Sequence, residues 1–423
     1  MGLHFDLAYG TGTLPLDLPD GLTPTVLLAN EMPALPDPVQ AVRDALNHPT
    51  GAAPLAEQLK QKKPRKVVVV VNDETRPTPY NAFFPPLLEA FAEAGIKDEQ
   101  VTFVIATGIH DPHSKELNEK TYGKHMTDRF RFISHVATDD SSLVHMGRFA
   151  SGYEFYVNKL AVEADFLITL GVVMPHYFAG FSGGRKSILP GLAGRRTVEQ
   201  NHARMVELMD NLPPIRKNPV SLEMIEAARK VNVNFIINAV TGTNGLVKVT
   251  AGDLEAAWYQ AVEVSSHMFE IPVEHQVDIC VASACGYPRD VNMYQAQKAL
   301  DHSDRITRDG GTIILVAEAP SGYGEEVFET WMREGHTPEE IMQKIRTNFI
   351  MGGHKAYGFA KVAAHKKFVL VSSLTKEDTE PLYATKAESL QAAFDAALAA
   401  NPGARVAVLP QGSLTLPMLP HHG

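Results

Sequence analysis

Residues 66–71 read Lys-Val-Val-Val-Val-Val. No other stretch limits the possible folds as tightly, because β-branched side chains at successive positions suit a strand covered on both faces. The run ends in Asn72-Asp73-Glu74-Thr75-Arg76-Pro77, a polar loop leading to a helix expected near Pro86–Ala94 and closed by Gly95. The unit then repeats. Val101–Ala106 is a strand, Thr107-Gly108-Ile109-His110 its turn, and Ser114 an N-cap for a helix to Tyr122. Phe166–Val173 is a further buried run, a helix from about Thr197 to Met209 carries His202, Asn218-Pro219 caps a helix to Lys230, and Phe235–Val240 is a strand.

Strands and helices alternating at these lengths predict an α/β fold with largely parallel sheets. The pattern breaks at Glu270-Ile271-Pro272-Val273, so two α/β domains are expected, residues 1–272 and 273–423, with an active-site crevice between them. In the second, Val277–Ala282, Gly311–Ala317, Phe368–Ser372 and Arg405–Leu409 read as strands. Helices are expected near Glu325–Glu334, Pro338–Thr347 and Ala387–Ala400. Residues 1 to about 60 are Pro-rich, with short strands at the start and a helix near Pro38–Asn47 entered through Asp37.

Composition removes several function classes. The 423-residue chain has a formal charge of −10 and no basic run, which argues against nucleic-acid binding. Its two cysteines, Cys280 and Cys285, exclude a disulfide framework and a four-cysteine zinc site. The opening residues lack a basic region and an apolar core, and the longest apolar runs are strand-sized, so a cytoplasmic protein without a membrane anchor is expected.

The chemistry concentrates in Pro175–His202, where His176, Gly180, Ser182, Gly183, Gly184, Lys186 and His202 follow a buried strand. A P-loop reading fails, because Arg185 stands where that motif needs glycine before its lysine. Four strand ends carry unusual polar loops: Asp73/Arg76, His110, His176 with Lys186, and Asp290/Gln295/Lys298. In a parallel sheet such loops share one edge, where ligands of open α/β sheets bind. Arg76 and Lys298 suit a carboxylate or phosphate, and His110 and His176 an acid/base pair. Each also has an ordinary role open to it: Arg76 bridging Asp73, His110 capping a helix, His176 in the core, Lys298 on a solvated surface. His202 is a competent nickel or zinc ligand, but one histidine without a carboxylate or cysteine cluster leaves most donors to come from elsewhere.

Asp73-x-Thr75-Arg76-Pro77, Thr107-Gly108-x-His110, Pro175-His176-x-x-Ala179-Gly180-Phe181-Ser182-Gly183-Gly184-x-Lys186, Asn201-His202, Asn218-Pro219 and Asp290-x-Asn292-x-Tyr294-Gln295-Ala296-x-Lys298-Ala299 occur in this order. In these motifs the chain resembles the nickel-dependent lactate racemase family, whose cofactor is a nickel-pincer nucleotide. The resemblance implies that Lys186 carries the cofactor covalently, through its pyridinium thioamide, and that His202 completes nickel coordination. It implies that His110 and His176 are the acid/base residues. Arg76, Lys298 and Gln295 would hold the substrate carboxylate, with Asp73 and Tyr294 shaping that site. Gly108, Ser182, Gly183 and Gly184 are the expected surroundings of the cofactor phosphate. The first domain would then bind cofactor and the second complete the substrate site, with cofactor-biosynthesis proteins as maturation partners.

The implied reaction is racemisation or 2-epimerisation of a 2-hydroxy acid, lactate-like or larger, by hydride transfer to and from the cofactor. A nicotinamide-dependent oxidoreductase is the alternative, but its G-x-G-x-x-G turn after a first strand is absent. A non-catalytic nickel or cofactor carrier would need Lys186 and His202 but not the histidine pair and carboxylate clamp.

Overall fold

The computed structural model describes residues 2–208 and 212–420. It comprises two compact units, Glu31–Ser266, and Met1–Asn30 together with His267–Gly423. Residues 1–30 thus fall in the same unit as the C-terminal half, where the sequence reading placed 1–272 together.

In the unit Glu31–Ser266, six strands run in the order Gly245–Gly252, Phe235–Gly242, Phe166–Val172, Val67–Asn72, Val101–Ala106, Arg131–Ser134. Every pairing is parallel except the edge hairpin of Phe235–Gly242 with Gly245–Gly252, which the sequence reading missed. Val67 to Val71 are all buried, as their unbroken apolar run requires. The chain lays strands outward from Val67–Asn72 in one direction, then returns to place Phe166–Val172 on its other side. That reversal makes the carboxyl ends of these two strands the topological switch point, where α/β sheets open a ligand crevice.

Most of the helices foreseen here match. Pro38–Asn47 begins at Asp37, which accepts from the Gln40 N–H, and Pro219–Lys230 begins at Asn218, which accepts from the Ser221 N–H. Two depart. The helix expected from Pro86 starts at Tyr80 and contains Pro85 and Pro86, since burying Tyr80, Phe83, Phe84 and Leu87 outweighs two missing N–H donors. The helix carrying His202 spans Arg195–Ala203 and tightens to a 3₁₀ turn at Arg204–Leu208; its expected end, Met209, lies outside the described residues.

The other unit has six parallel strands in the order Thr385–Lys386, Lys367–Val371, Thr307–Val316, Val277–Ser283, Val406–Leu409, Thr25–Val26. The N-terminal segment belongs here for two reasons. Thr25–Val26 pairs with Val406–Leu409, and the hairpin His4–Tyr9/Gly12–Asp17 places Leu7 and Leu16 in one core with Ile279, Ile314 and Phe394. A helix over Gly353–His365 was not anticipated from the sequence. Both cysteines are free, and burial pushes the Cys280 thiol up to about 12. Among the described residues no helix is long and apolar enough to cross a membrane.

Candidate active site

Asp73 is the first residue beyond the Val67–Asn72 strand and is 4% exposed. Its Oδ2 lies 2.6 Å from His110 Nδ1, and its Oδ1 accepts from the Thr75 N–H at 3.2 Å and the Thr75 hydroxyl at 2.5 Å. Burial opposes ionisation of Asp73, but the hydrogen bonds from His110 and Thr75 and the charges of His110 and Arg76 outweigh it, holding the carboxyl below its usual range. His110 is half exposed, so with Nδ1 facing the carboxylate its Nε2 edge is the one left to meet solvent or substrate. Asp73 therefore orients His110, and His110 does not cap the helix that follows; Ser114 does. Arg76 reaches Asp73 indirectly, donating to the Thr75 hydroxyl at 2.9 Å, and its guanidinium stays exposed.

Beside this pair, His113 Nε2 stands 2.6 Å from Glu74 Oε2, and its Nδ1 lies 3.0 Å from Asn118 Oδ1. The two loops are thus clamped twice, by Asp73–His110 and Glu74–His113. Deeper in, the Thr107 hydroxyl donates to the His135 carbonyl at 2.6 Å. Burial depresses His135 to about 4, so it is neutral, with Nε2 hydrogen-bonded to the Ala193 carbonyl at 3.0 Å.

On the other flank of the switch point, His176 pairs with Gly180 in a two-residue antiparallel ladder. The glycine-rich turn that follows is internally satisfied. The Ser182 hydroxyl donates to Val172 O at 2.7 Å and accepts from Met174 N–H at 2.9 Å. Backbone N–H groups of Gly108, Ser182 and Gly184 donate to Gly191 O, Met174 O and Asn238 Oδ1. Three of the four backbone donors expected around the cofactor phosphate, those of Gly108, Ser182 and Gly184, thus already have partners within the chain. The glycines also answer a packing demand. At positive φ, a Cβ on Gly183 would stand 2.6 Å from Val173 Cγ2, and one on Gly184 2.9 Å from Trp258 Cδ1.

Arg185, which the sequence reading used only to reject a P-loop, holds this turn. It is 1% exposed, donates at 2.9 Å to both Phe181 O and Ala179 O, and lies 3.6 Å over the Trp258 ring. Phe178 is a second organising residue that the sequence reading did not single out. Its ring lies 4.6 Å from His176, 5.0 Å from His202 and 5.7 Å from Lys186 Nζ, and its carbonyl accepts from Asn218 Nδ2 at 2.7 Å. One buried aromatic ring therefore brings three of the predicted site residues together.

His202 is buried in the last turn of its helix, and its Nδ1 has no hydrogen-bond partner. Burial, then the nearby Lys186 ammonium, depress it to about 3, so the imidazole is neutral, as a metal ligand must be. Among the described residues no cluster of three or more His, Cys, Asp or Glu is placed to hold a metal. A buried, neutral imidazole with an unpaired Nδ1 beside a lysine fits a metal that arrives with its other donors in an organic group.

In the other unit, Asn292 caps the helix Met293–Ile306 by accepting from the Gln295 N–H at 3.0 Å. The first turns of this helix carry Tyr294, Gln295 and Lys298, and Lys298 Nζ donates to Gln295 Oε1 at 3.0 Å. Asp290 is fully buried and accepts from Gly10 N–H at 2.7 Å and Glu318 N–H at 3.1 Å, so it fixes the loop feeding that helix.

The family profile described as the lactate racemase N-terminal domain matches residues 9–211, and that of the lactate racemase C-terminal domain matches residues 273–416. A lactate racemase of Thermoanaerobacterium thermosaccharolyticum is 32% identical, with 97% of this chain and 98% of that protein covered. A lactate racemase of Lactiplantibacillus plantarum is 34% identical over 88% of this chain and 89% of its own length. The solved structure of the lactate racemase apoprotein from T. thermosaccharolyticum superposes with a TM-score of 0.90 at 30% identity, covering 98% of this chain and 100% of that one. The chain belongs to the lactate racemase family and is an isomerase of the racemase class.

Proposed function

We propose that this enzyme inverts C2 of a 2-hydroxy acid of the lactate type, as a racemase or, on substrates with further stereocentres, a 2-epimerase. In this reading Lys186 carries a nickel-pincer nucleotide and His202 contributes its neutral imidazole to the nickel. The hydrogen on C2 is a poor proton, because the adjacent carboxylate stabilises a carbanion badly. When bound, that cofactor supplies a reversible acceptor for hydride, which avoids the carbanion.

The chain's own residues move the proton and hold the acid. His110 Nε2 takes the hydroxyl proton as the C2–H bond breaks, and buried Asp73 stabilises the imidazolium that forms. His176 serves the opposite face, so a proton taken by one histidine is balanced by one returned from the other. Arg76 engages the substrate carboxylate, for which its planar fork is suited, and Lys298 with Gln295 supplies a second point of attachment. The observation that carries the reading is His110 locked by Nδ1 to a buried carboxylate at the same switch point as His176, Lys186 and His202.

The test is expression with and without proteins that assemble the cofactor, followed by peptide mass, nickel content and chiral chromatography of lactate-type acids. An adduct on Lys186, bound nickel and interconversion of enantiomers are expected together. Full activity in unmodified, nickel-free protein would overturn the proposal.

A further inference from the structure

Asp73 and Glu74 are consecutive, and each meets a histidine of the loop that follows Val101–Ala106. The two pairs have opposite exposure. In the first the carboxylate is buried and the His110 imidazole half exposed. In the second the carboxylate of Glu74 is half exposed and the His113 side chain is 1% exposed. His113 is fixed from other sides as well. Its N–H donates to the Ser134 hydroxyl at 3.0 Å, and its Nδ1 lies 3.0 Å from Asn118 Oδ1. Its ring stacks on Tyr122, with centroids 6.0 Å apart and planes 21° from parallel. Tyr122 in turn donates its hydroxyl to the Asn72 carbonyl at 2.7 Å, beside Tyr80 at 2.8 Å.

Asp73 is therefore bracketed. Asn72, before it, is held through Tyr122, and Glu74, after it, is held by His113 directly, so both restraints lead to one buried imidazole. Packing does not call for that ring to be histidine. Phenylalanine would also stack on Tyr122, and an ion pair with one end in solvent adds little stability. What the pair adds is direction, because a 2.6 Å contact across two loops fixes where Glu74 stands relative to the histidine loop. The contact that depends on this register is the 2.6 Å approach of Asp73 Oδ2 to His110 Nδ1. His113 itself is too deeply buried to meet a substrate, so it acts on the reaction through its neighbours.

We propose that His113 is a positioning residue for the racemase reaction: by holding Glu74 it sets the Asp73 loop against His110 and keeps that histidine in its working orientation. This rests on the reading of His110 as an acid/base group and adds the residue that sets its geometry. A displacement of about 1 Å at a catalytic group can cost about 10²-fold in rate. A clamp on the residue next to Asp73 therefore has more leverage on turnover than on stability.

Three variants of the nickel-loaded protein test it. His113→Phe keeps a ring on Tyr122 and removes the bond to Glu74, Glu74→Ala removes the same bond from its exposed end, and His113→Gln restores a donor. For a lactate-type acid, kcat and kcat/KM should fall together by about 10- to 10²-fold in the first two, with partial recovery in the third. Added to Asp73→Asn, His113→Phe should cost little more, because the contact it protects is already broken. NMR of protein carrying isotope-labelled histidine gives a readout that needs no turnover. The His110 Nδ1 proton, held against Asp73, should be visible in the parent and in His113→Gln and lost to solvent exchange in His113→Phe. Parental rates in both His113→Phe and Glu74→Ala would overturn the proposal. So would a full additional loss on top of Asp73→Asn, or a His110 proton unchanged in His113→Phe. Should His113→Phe fail to fold, Glu74→Ala decides by the same measurements. A parent that interconverts no acid would refute the reaction reading, while the NMR comparison would still decide the positioning.

Discussion

Asp73→Asn is the sharpest probe of the candidate base. Both hydrogen bonds from Thr75 reach Oδ1 of Asp73, so asparagine can keep its amide oxygen there. The amide nitrogen then replaces Oδ2, 2.6 Å from His110 Nδ1. Two donors cannot face each other at that distance, so His110 adopts the tautomer protonated on Nε2 and its outward lone pair is lost. Restoring the working tautomer forfeits the amide-to-Nδ1 hydrogen bond and leaves two donors facing each other, at a cost of about 1–3 kcal/mol, or roughly 5- to 150-fold in rate. Loss of the carboxylate beside the forming imidazolium adds to this, so kcat should fall by about 10²–10³-fold, within the usual range for general acid–base catalysis. Initial rates from each pure enantiomer, measured by chiral chromatography and normalised to nickel content, should drop equally, since a catalyst cannot move the equilibrium between them. Stability should respond as well. With its folded value below the unfolded one of about 3.9, Asp73 stabilises the fold above that pH, and the contribution fades as pH falls through the folded value. The variant should therefore lose less stability than the parent on acidification below about pH 4. Parental turnover in nickel-replete Asp73→Asn would refute the assignment of His110 as an oriented base.

Three further outcomes are expected. Arg185→Met leaves the carbonyls of Phe181 and Ala179 without their donor; a loss of about 3 kcal/mol should lower Tm by roughly 6–12 °C in a scanning calorimeter, with reduced cofactor loading. If His202 has the ligand role proposed above, His202→Ala should retain the Lys186 adduct by mass but lose at least about 10-fold in nickel affinity by metal titration. Lys298→Ala should weaken binding of a 2-oxo acid by about 10-fold or more in calorimetry while nickel content stays at the parental level, and unchanged affinity would remove Lys298 from the carboxylate site.

Much of the α/β alternation was legible because its signals are local. Val67–Val71 can only be a strand buried on both faces, and Asp37, Ser114 and Asn218 announce helix starts through their own side chains. What escaped depends on partners distant in sequence. Nothing near Thr25 indicates that it lies beside Val406–Leu409, and the two prolines at 85 and 86 concealed the start, at Tyr80, of a helix whose onset is decided by aromatic burial. The site divides in the same way. Motif residues were visible as polar loops after strands, whereas Phe178 and Arg185 look like filler until their neighbours are known. The glycine-rich turn is ambiguous in sequence for a physical reason: glycines serve close packing against tryptophan as readily as approach to a phosphate.

The shared sheet of the two chain ends has a consequence for synthesis. The Asp17 N–H is bonded to Gln391, 374 positions away, and Thr25–Val26 is the edge strand beside Val406–Leu409. At roughly 5–20 residues per second on the ribosome, the N-terminal hairpin and edge strand wait on the order of half a minute for their partners. Meanwhile Glu31–Ser266, continuous in sequence, can complete its own sheet. Newly emerged chains should thus pass through a stage with one unit folded and a free N-terminal β-segment, a natural substrate for chaperones that recognise unpaired strands.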